Sequence, residues 1–366
     1  MKKTIVVFSN PFGYGPTANA IPVIENLLTA VKEIDIIFAG SRLCREIIDN
    51  DQIKIVDIDE RSRDQIKFFL KTLDNPHIIS FQNRFAIKAA KALNLRSAFL
   101  DILAWFWNEI PQEHLLADII FWIRFPGIEK KMPLSRKIYV VSGIITVLPN
   151  LKKKNQLMIH IGGAKYPFSN NAPTNYLNLL ADALNGFSCK NIYKSTLFIG
   201  GSEAIEYIKQ KSINRDIIFA SLSQKEFIKE LSQSVHVFTT AGLSSTLESF
   251  SQKIPVSFLL PINLTQFVLI NMLKRYNACP QYMGWNNYVK VKNNLTKMTE
   301  KDAINEFNDY AKKISLNLNI KQKFTRDFIR KANTIPNNTN QNSLVDYIGN
   351  TGAKEIAKIL IKEWKI

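Results

Sequence analysis

The run Thr239-Thr240-Ala241-Gly242-Leu243-Ser244-Ser245-Thr246-Leu247-Glu248 sets a glycine, several hydroxyl side chains and one carboxylate in close succession. Before it, Val235, Val237 and Phe238 read as a strand; after it, Leu247, Phe250 and Ile254 mark the apolar side of a helix. A helix that opens at Gly242–Ser245 leaves backbone N–H groups unpaired and the positive end of its dipole facing outward, which suits a phosphate. Glu248 lies one turn in, within reach of a ribose hydroxyl beyond that phosphate. Gly162-Gly163, after the apolar stretch Leu157–Ile161, is a second candidate loop. Lacking Cβ atoms, these residues let backbone amides approach an anion, or else make a plain tight turn. Gly201-Ser202 reads equally as a turn or a ligand contact.

A different chemistry is on offer in the first third of the chain. Asp101 follows the apolar stretch Ser97–Leu100 and precedes Trp105-Phe106-Trp107. A carboxylate beside apolar rings can serve as a general base; the alternative is that Asp101 caps the next helix. Glu109 is a lesser candidate. Asn10-Pro11-Phe12-Gly13-Tyr14-Gly15-Pro16 forms a glycine-containing loop after the first strand. Its Tyr14 titrates near pH ~10 when unperturbed, which suits a base at neutral pH poorly. Trp105, Phe106, Trp107, Phe121, Trp122 and Phe125 read as core packing or as an apolar pocket for a substrate. His160 reads as a buried or cleft-lining residue. His77, His114 and His236 show no ligand spacing, so no metal site is expected.

The elements that must position these residues alternate. Lys3–Phe8, Asp35–Phe38, Ile53–Ile58, Ile78–Ser80, Ser97–Leu100, Ile138–Val141 and Ile144–Leu148 read as strands, with helices at Ala20–Val31 and Phe85–Leu93. A second cycle follows. Its strands are Gln156–Ile161, Ser195–Ile199, Asp216–Phe219, Val235–Phe238 and Pro255–Leu260, with helices at Thr174–Leu184 and Gln224–Leu231. Such alternation predicts two α/β domains, each a mostly parallel sheet flanked by helices. We expect a first domain over residues 1–150 and a second over 151–334, with the Lys152-Lys153-Lys154 run at the linker and Lys152–Asn155 beginning the second cycle. An Asn-rich loop at 335–342 leads to C-terminal helices, Leu344–Ile348 and Ala353–Trp364, that can pack back on the first domain.

The Thr239–Glu248 run, taken with Pro255, Pro261 and Gln266, resembles the donor-nucleotide signature of GT-B glycosyltransferases, which have two facing Rossmann-like domains. The similarity is to UDP-sugar-dependent plant and antibiotic-type transferases and to lipid-linked N-acetylglucosaminyl transferases of peptidoglycan synthesis. It covers about Gln156–Arg275 at motif quality and the first domain only in layout. The resemblance implies that Gly162 and Gly163 approach a donor diphosphate together with Gly242, Leu243, Ser244 and Ser245. It also implies that the backbone of the segment Ala220-Ser221-Leu222-Ser223-Gln224 reads a nucleobase edge. Ser223 with Glu226 reads at the same time as a helix capping box. In the segment Pro261–Gln266, Asn263 and Gln266 would contact the donor sugar. Three positions depart from the pattern: Thr265 stands where a carboxylate is common, Thr240 where many relatives have a histidine, and Tyr14 where a catalytic histidine commonly follows the glycine. Gly13, Tyr14, Gly15, Trp105 and Trp107 would line the acceptor side, with Asp101 as the base.

The implied activity is metal-independent transfer of a sugar, with inversion, from a UDP- or dTDP-linked donor to a hydroxyl- or amine-bearing acceptor: a small molecule, a lipid-linked species or a glycan. A nucleotide-sugar hydrolase or epimerase and a non-catalytic nucleotide-sugar-binding protein are the alternatives. The nucleotide sugar is a co-substrate, and no cofactor is expected. The bulk composition bounds the rest. With 366 residues there is room for two cores. The formal net charge of +17 permits peripheral contact with an anionic membrane, but no zinc-finger, helix-turn-helix or RNP-type motif accompanies it, so nucleic acid is not an expected partner. Cys44, Cys189 and Cys279 are scattered, as in a reduced cytoplasmic protein. The apolar run at Ile5–Phe8 is too short for a secretory segment, and those near residues 98–107 and 119–125 are too short to span a membrane.

Overall fold

The computed structural model describes residues 2–131, 137–146, 148, 151–165, 173–188 and 192–366. The chain forms two compact units, Met1–Thr146 with Asp346–Ile366, and Val147–Val345. Of the expected tail, residues 335–345 therefore count with the second unit and the remainder with the first.

The first unit runs β1 (Lys3–Ser9), α1 (Gly15–Ala30), β2 (Ile34–Ala39), α2 (Arg42–Arg45), β3 (Ile53–Val56), α3 (Arg63–Lys71), β4 (His77–Phe81), α4 (Arg84–Ala92), β5 (Ser97–Asp101), β6 (Ile119–Ile123) and β7 (Ile138–Val141). These strands form one sheet in the order β3-β2-β1-β4-β5-β6-β7, and every pairing is parallel. Because β1→β2 and β4→β5 cross over in opposite directions, right-handed connections put helices on both faces. Both faces of the central strands are then buried, which is why Ile5, Val6, Val7 and Phe8 are all shielded from solvent. β6 is likewise buried along its whole length. It was legible only as an apolar patch, because a strand covered on both faces shows no alternation.

The second unit runs β8 (Gln156–His160), α5 (Thr174–Asn185), β9 (Ser195–Ile199), α6 (Ser202–Lys211), β10 (Ile217–Ala220), α7 (Gln224–Gln233), β11 (His236–Thr239), α8 (Leu243–Ser251), β12 (Val256–Phe258), α9 (Leu264–Arg275), α10 (Glu300–Leu316) and α11 (Leu318–Ala332). Its sheet, β10-β9-β8-β11-β12, is also wholly parallel. The chain then enters α12 (Thr339–Ile348) and α13 (Gly352–Trp364).

α13 belongs to the first unit. Its Trp364 meets the His77 ring edge-on at 4.8 Å, and Gly352 lies so close to the Ser142 carbonyl that a Cβ would sit 2.1 Å from it. The strand expected at Ile144–Leu148 is not formed. Ile144 makes an isolated antiparallel bridge to Thr351, and Val147 lies outside the described residues. The Lys152–Asn155 segment, which begins the second cycle, is tied to the second unit. Lys153 donates to the carbonyls of Ser232 (2.9 Å) and Ser234 (3.0 Å) at the end of α7, and Lys154 pairs with Glu230 at 2.8 Å. Cys44 and Cys279 are buried free thiols; Cys189 lies outside the described residues. Among the described residues no helix is long and apolar enough to cross a membrane.

Candidate functional site

In an open parallel sheet, ligands settle beyond the carboxyl ends of the strands where the strand order reverses. In the second unit that point lies between β8 and β11. The two glycine loops singled out above follow these two strands. Backbone hydrogen bonds lock the ends together: Thr240 N–H donates to the His160 carbonyl (3.0 Å), and Gly201 N–H to that of Gly162 (2.9 Å). Gly162 has φ +64°, and a Cβ placed on it would meet nothing within 4 Å. The glycine thus serves a left-handed backbone next to open space, whereas Gly200 is pressed against Ile161, with 2.7 Å to a notional Cβ. Gly163 is buried, and Gly201 caps α6.

Gly242 is the N-cap of α8, with extended backbone and no side-chain cap hydrogen bond, and no acid stands in the first turn. By contrast α7 and α9 are both side-chain capped. The α8 amides at Leu243, Ser244 and Ser245 therefore present the anion-binding end of a helix dipole at the β8/β11 reversal. Ser245 Oγ donates to the Gly242 carbonyl at 3.3 Å.

Glu248, one turn further, is 3% exposed. Gln224 Nε2 donates to its Oε1 at 3.1 Å, and burial pushes the carboxyl up to about 8 despite that bond. Gln224, the last residue of the Ala220–Gln224 segment, is the first residue of α7 and follows the N-cap Ser223. Ser221 is exposed and Leu222 half-buried, while Ser223 and Glu226 form the expected capping box.

The segment after β12 differs from expectation. Asn263 is the N-cap of α9 and accepts from Gln266 N–H at 2.9 Å, while Gln266 Oε1 accepts from Ile262 N–H at 2.9 Å. Both side chains thus brace the helix start, which leaves less of each to meet a sugar. A carboxylate is nevertheless present beside Thr265. It comes from α10: Glu300 Oε1 accepts from Leu264 N–H at 3.1 Å, and burial raises its carboxyl to about 7. His160, at the end of β8, packs at a tilt against Phe227, ring centroids 4.8 Å apart, with Nδ1 3.2 Å from Thr239 Oγ1. Thr239 Oγ1 already donates to the Thr240 carbonyl (2.8 Å), so the proton of the His160 pair sits on Nδ1. Burial lowers His160 to about 4, keeping it neutral.

In the first unit the strand order reverses between β1 and β4, and the Asn10–Gly15 loop lies there. Gly13 has φ +64° with open space at its Cβ position. Tyr14 is the N-cap of α1, Gly15 its first residue, and the Tyr14 hydroxyl donates to Glu46. Asp101, at the end of β5, is fully buried and its oxygens are taken. Oδ1 accepts from Leu103 N–H at 3.0 Å, Trp107 Nε1–H donates at 3.1 Å to Oδ2, and His114 Nδ1 lies 2.8 Å from Oδ2. The expectation of Asp101 as the base itself is thereby corrected: no face of it is open to an acceptor. The aromatic set divides. Trp105 stacks on Phe125 at 4.8 Å and is 5% exposed, so it is core and not an acceptor wall; Phe121 and Trp122 are core too, whereas Trp107 is half-buried. No cluster of three or more His, Cys, Asp or Glu that could hold a metal occurs among the described residues.

No family model matches the sequence, and no curated protein matches it. Solved structures do match over the full length. Staphylococcus aureus MnaA in complex with UDP superposes with a TM-score of 0.56 at 13% identity, covering 100% of this chain and 97% of that one. Arabidopsis thaliana UGT89C1 complexed with UDP gives 0.57 at 12% identity, with 100% of both chains covered. A Listeria monocytogenes protein described as a UDP-N-acetylglucosamine 2-epimerase gives 0.54 at 14%, covering 100% and 98%. At these identities the likeness concerns the fold: two Rossmann-like units, the GT-B architecture.

Proposed function

We propose that the second unit binds a UDP- or dTDP-linked sugar and that the chain transfers the sugar, with inversion, to a hydroxyl or amine of an acceptor held by the first unit. The observation that carries this reading is the uncapped start of α8, set beside the open left-handed Gly162 at the strand-order reversal. An anion of diphosphate size meets there a row of backbone amides without a competing carboxylate. As the anomeric carbon–oxygen bond breaks, negative charge grows on the departing diphosphate, and fixed amide dipoles stabilise that charge without reorganising. In this reading Glu248 and Gln224 meet the ribose hydroxyls that follow the phosphates, supported by the Gln224–Glu248 hydrogen bond one turn into α8. In this reading no dedicated metal is required.

Epimerisation of the same donor is the second reading, supported by the likeness to the Listeria protein. The two part on products. We expect calorimetric titration with UDP, dTDP, GDP, CMP and their sugar conjugates to give saturable binding of a uridine or thymidine diphosphate, weakened in Ser245→Ala and Glu248→Ala. Absence of binding at millimolar nucleotide overturns the reading. Incubation with donor alone separates the reactions: a changed sugar still linked to nucleotide marks an epimerase, and acceptor-dependent release of nucleotide marks a transferase.

A further inference from the structure

The candidate donor site lies at the carboxyl ends of the second sheet, and the opposite end of the same unit carries a surface that this site does not explain. Two segments meet there at the last turn of α5. In the turn that enters β10, Ile213 N–H donates to Asn185 Oδ1 at 2.8 Å, and Asn214 Nδ2 donates to the carbonyls of Leu184 (2.8 Å) and Phe187 (2.7 Å). From the other side, Lys321 of α11 pairs at 3.0 Å with Asp182, one turn before Asn185. The corner between α10 and α11 is set by Asn317, whose Oδ1 accepts from Ile320 N–H at 3.1 Å. These bonds hold three aliphatic side chains out in solvent: Ile213 is 80% exposed, Leu316 78% and Leu318 64%. A single exposed aliphatic is ordinary, but three on two fixed corners at one end of a sheet call for an apolar neighbour.

The charge around them has one sign. Residues 209–215 contain Lys209, Lys211 and Arg215, residues 312–326 contain five lysines and arginines, and neither stretch contains an acid. Lys209, Lys211, Arg215, Lys312 and Lys313 are exposed. Asp182, the only acid of α5, is taken by Lys321, and Asp216 bounds the first stretch. A second copy of this chain would bring the same positive charge to the contact. Nucleic acid offers phosphates but no apolar phase for isoleucine and leucine. An anionic bilayer offers both at once, phosphates at its surface and hydrocarbon just beneath. We propose that this end of the second unit docks on an anionic lipid bilayer. Ile213, Leu316 and Leu318 enter the boundary between headgroups and acyl chains, and the basic residues beside them meet lipid phosphates. Docking in this way leaves the start of α8 uncovered, because it lies at the other end of the sheet. The inference does not rest on the nucleotide-sugar reading.

The full-length protein is sedimented with vesicles of phosphatidylcholine alone and of phosphatidylcholine with about one third phosphatidylglycerol, in about 0.05 and about 0.5 M salt. We expect binding to the anionic vesicles only, weakened about 10-fold or more by the higher salt. Lys209→Gln, Lys211→Gln and Arg215→Gln combined lower the vesicle affinity about 100-fold, at about five-fold for each charge. Ile213→Asn, Leu316→Gln and Leu318→Gln combined lower it about 10-fold or more, although they remove no charge. Leu318→Trp places a reporter in the contact, and brominated acyl chains quench its added emission in the vesicle-bound protein. Wild-type vesicle affinity in either triple variant overturns the proposal, and so does equal binding to neutral vesicles. Binding without quenching at position 318 is adsorption by charge alone and overturns it too. Duplex DNA bound as tightly as anionic vesicles, with no loss in the aliphatic variant, assigns the face to nucleic acid instead. A dimer that the aliphatic variant abolishes assigns it to a second copy. Melting curves check that the variants fold; the two sets are independent, so either one that folds decides. UDP titration of the same proteins reads the donor site separately, so a chain that binds vesicles but no nucleotide loses only the nucleotide-sugar reading.

Discussion

At the scale of single residues, the most exacting group is Glu248. A carboxyl that burial raises to about 8 has a folded-state value above its unfolded one. Its favourable contribution is present in full below the unfolded value near 4.5 and is lost as pH rises through 8. Replacing it by an uncharged isostere removes that loss. We expect Glu248→Gln to be more stable than wild type at pH 8 by on the order of 1–3 kcal/mol, with the gain vanishing at pH 4. The same change replaces one carboxyl oxygen by an NH2 donor, which cannot accept from a ribose hydroxyl, and should weaken UDP binding by about 10-fold or more. Melting curves at the two pH values and a UDP titration check both signs; an unchanged UDP affinity would mean that Glu248 is purely a buried strut. Glu248 and Asp101 were legible as candidate carboxylates from local sequence. Their partners were not, because Gln224 and His114 reach them across turns and strands whose packing no local pattern encodes.

Among the elements, α8 differs from its neighbours in what its start lacks. Supplying the missing carboxylate provides a discriminating change. Gly242 has φ −72° and ψ 134°, a conformation any residue adopts, so Gly242→Asp is strained only by Ser245 Oγ, 3.1 Å from the new Cβ. An Asp N-cap is worth a few tenths of a kcal/mol over Gly and gains from the helix dipole. We expect a melting temperature within about 2 °C of wild type, together with a loss of UDP affinity of about 30-fold or more, because the new charge occupies the place of the phosphate. Undiminished UDP binding in this variant would move the diphosphate off α8. The strand-to-helix layout around this loop was readable because β11 and α8 have opposite periodicities and a glycine between them. α10 and α11 were not read at all, although Phe307, Tyr310 and Ile314 bury one side of the first and Phe324 and Phe328 one side of the second. Their many lysines and asparagines blur the apolar stripe against a chain rich in both.

For the whole molecule, every residue assigned to the donor site belongs to Val147–Val345, while the Asp101–His114 pair belongs to the other unit. The tryptophans divide unevenly along the same line. Trp105, Trp107, Trp122 and Trp364 lie in the first unit, and Trp285 alone lies in the second. Tryptophan fluorescence therefore follows mainly the unfolding of the first unit, whereas calorimetry registers both. A ligand that binds only the folded second unit stabilises it by RT ln(1 + [L]/Kd), about 3 kcal/mol at one hundred times Kd. For a unit of that size the shift is roughly 5–10 °C. We expect saturating UDP to move a calorimetric transition by this amount and to leave the fluorescence melt of the first unit nearly where it was. A fluorescence midpoint that climbs in step with the calorimetric one would show that the units unfold as one cooperative body. In that event the donor's binding energy would also stabilise the Asp101–His114 pair, and substitutions there would change apparent UDP affinity through folding.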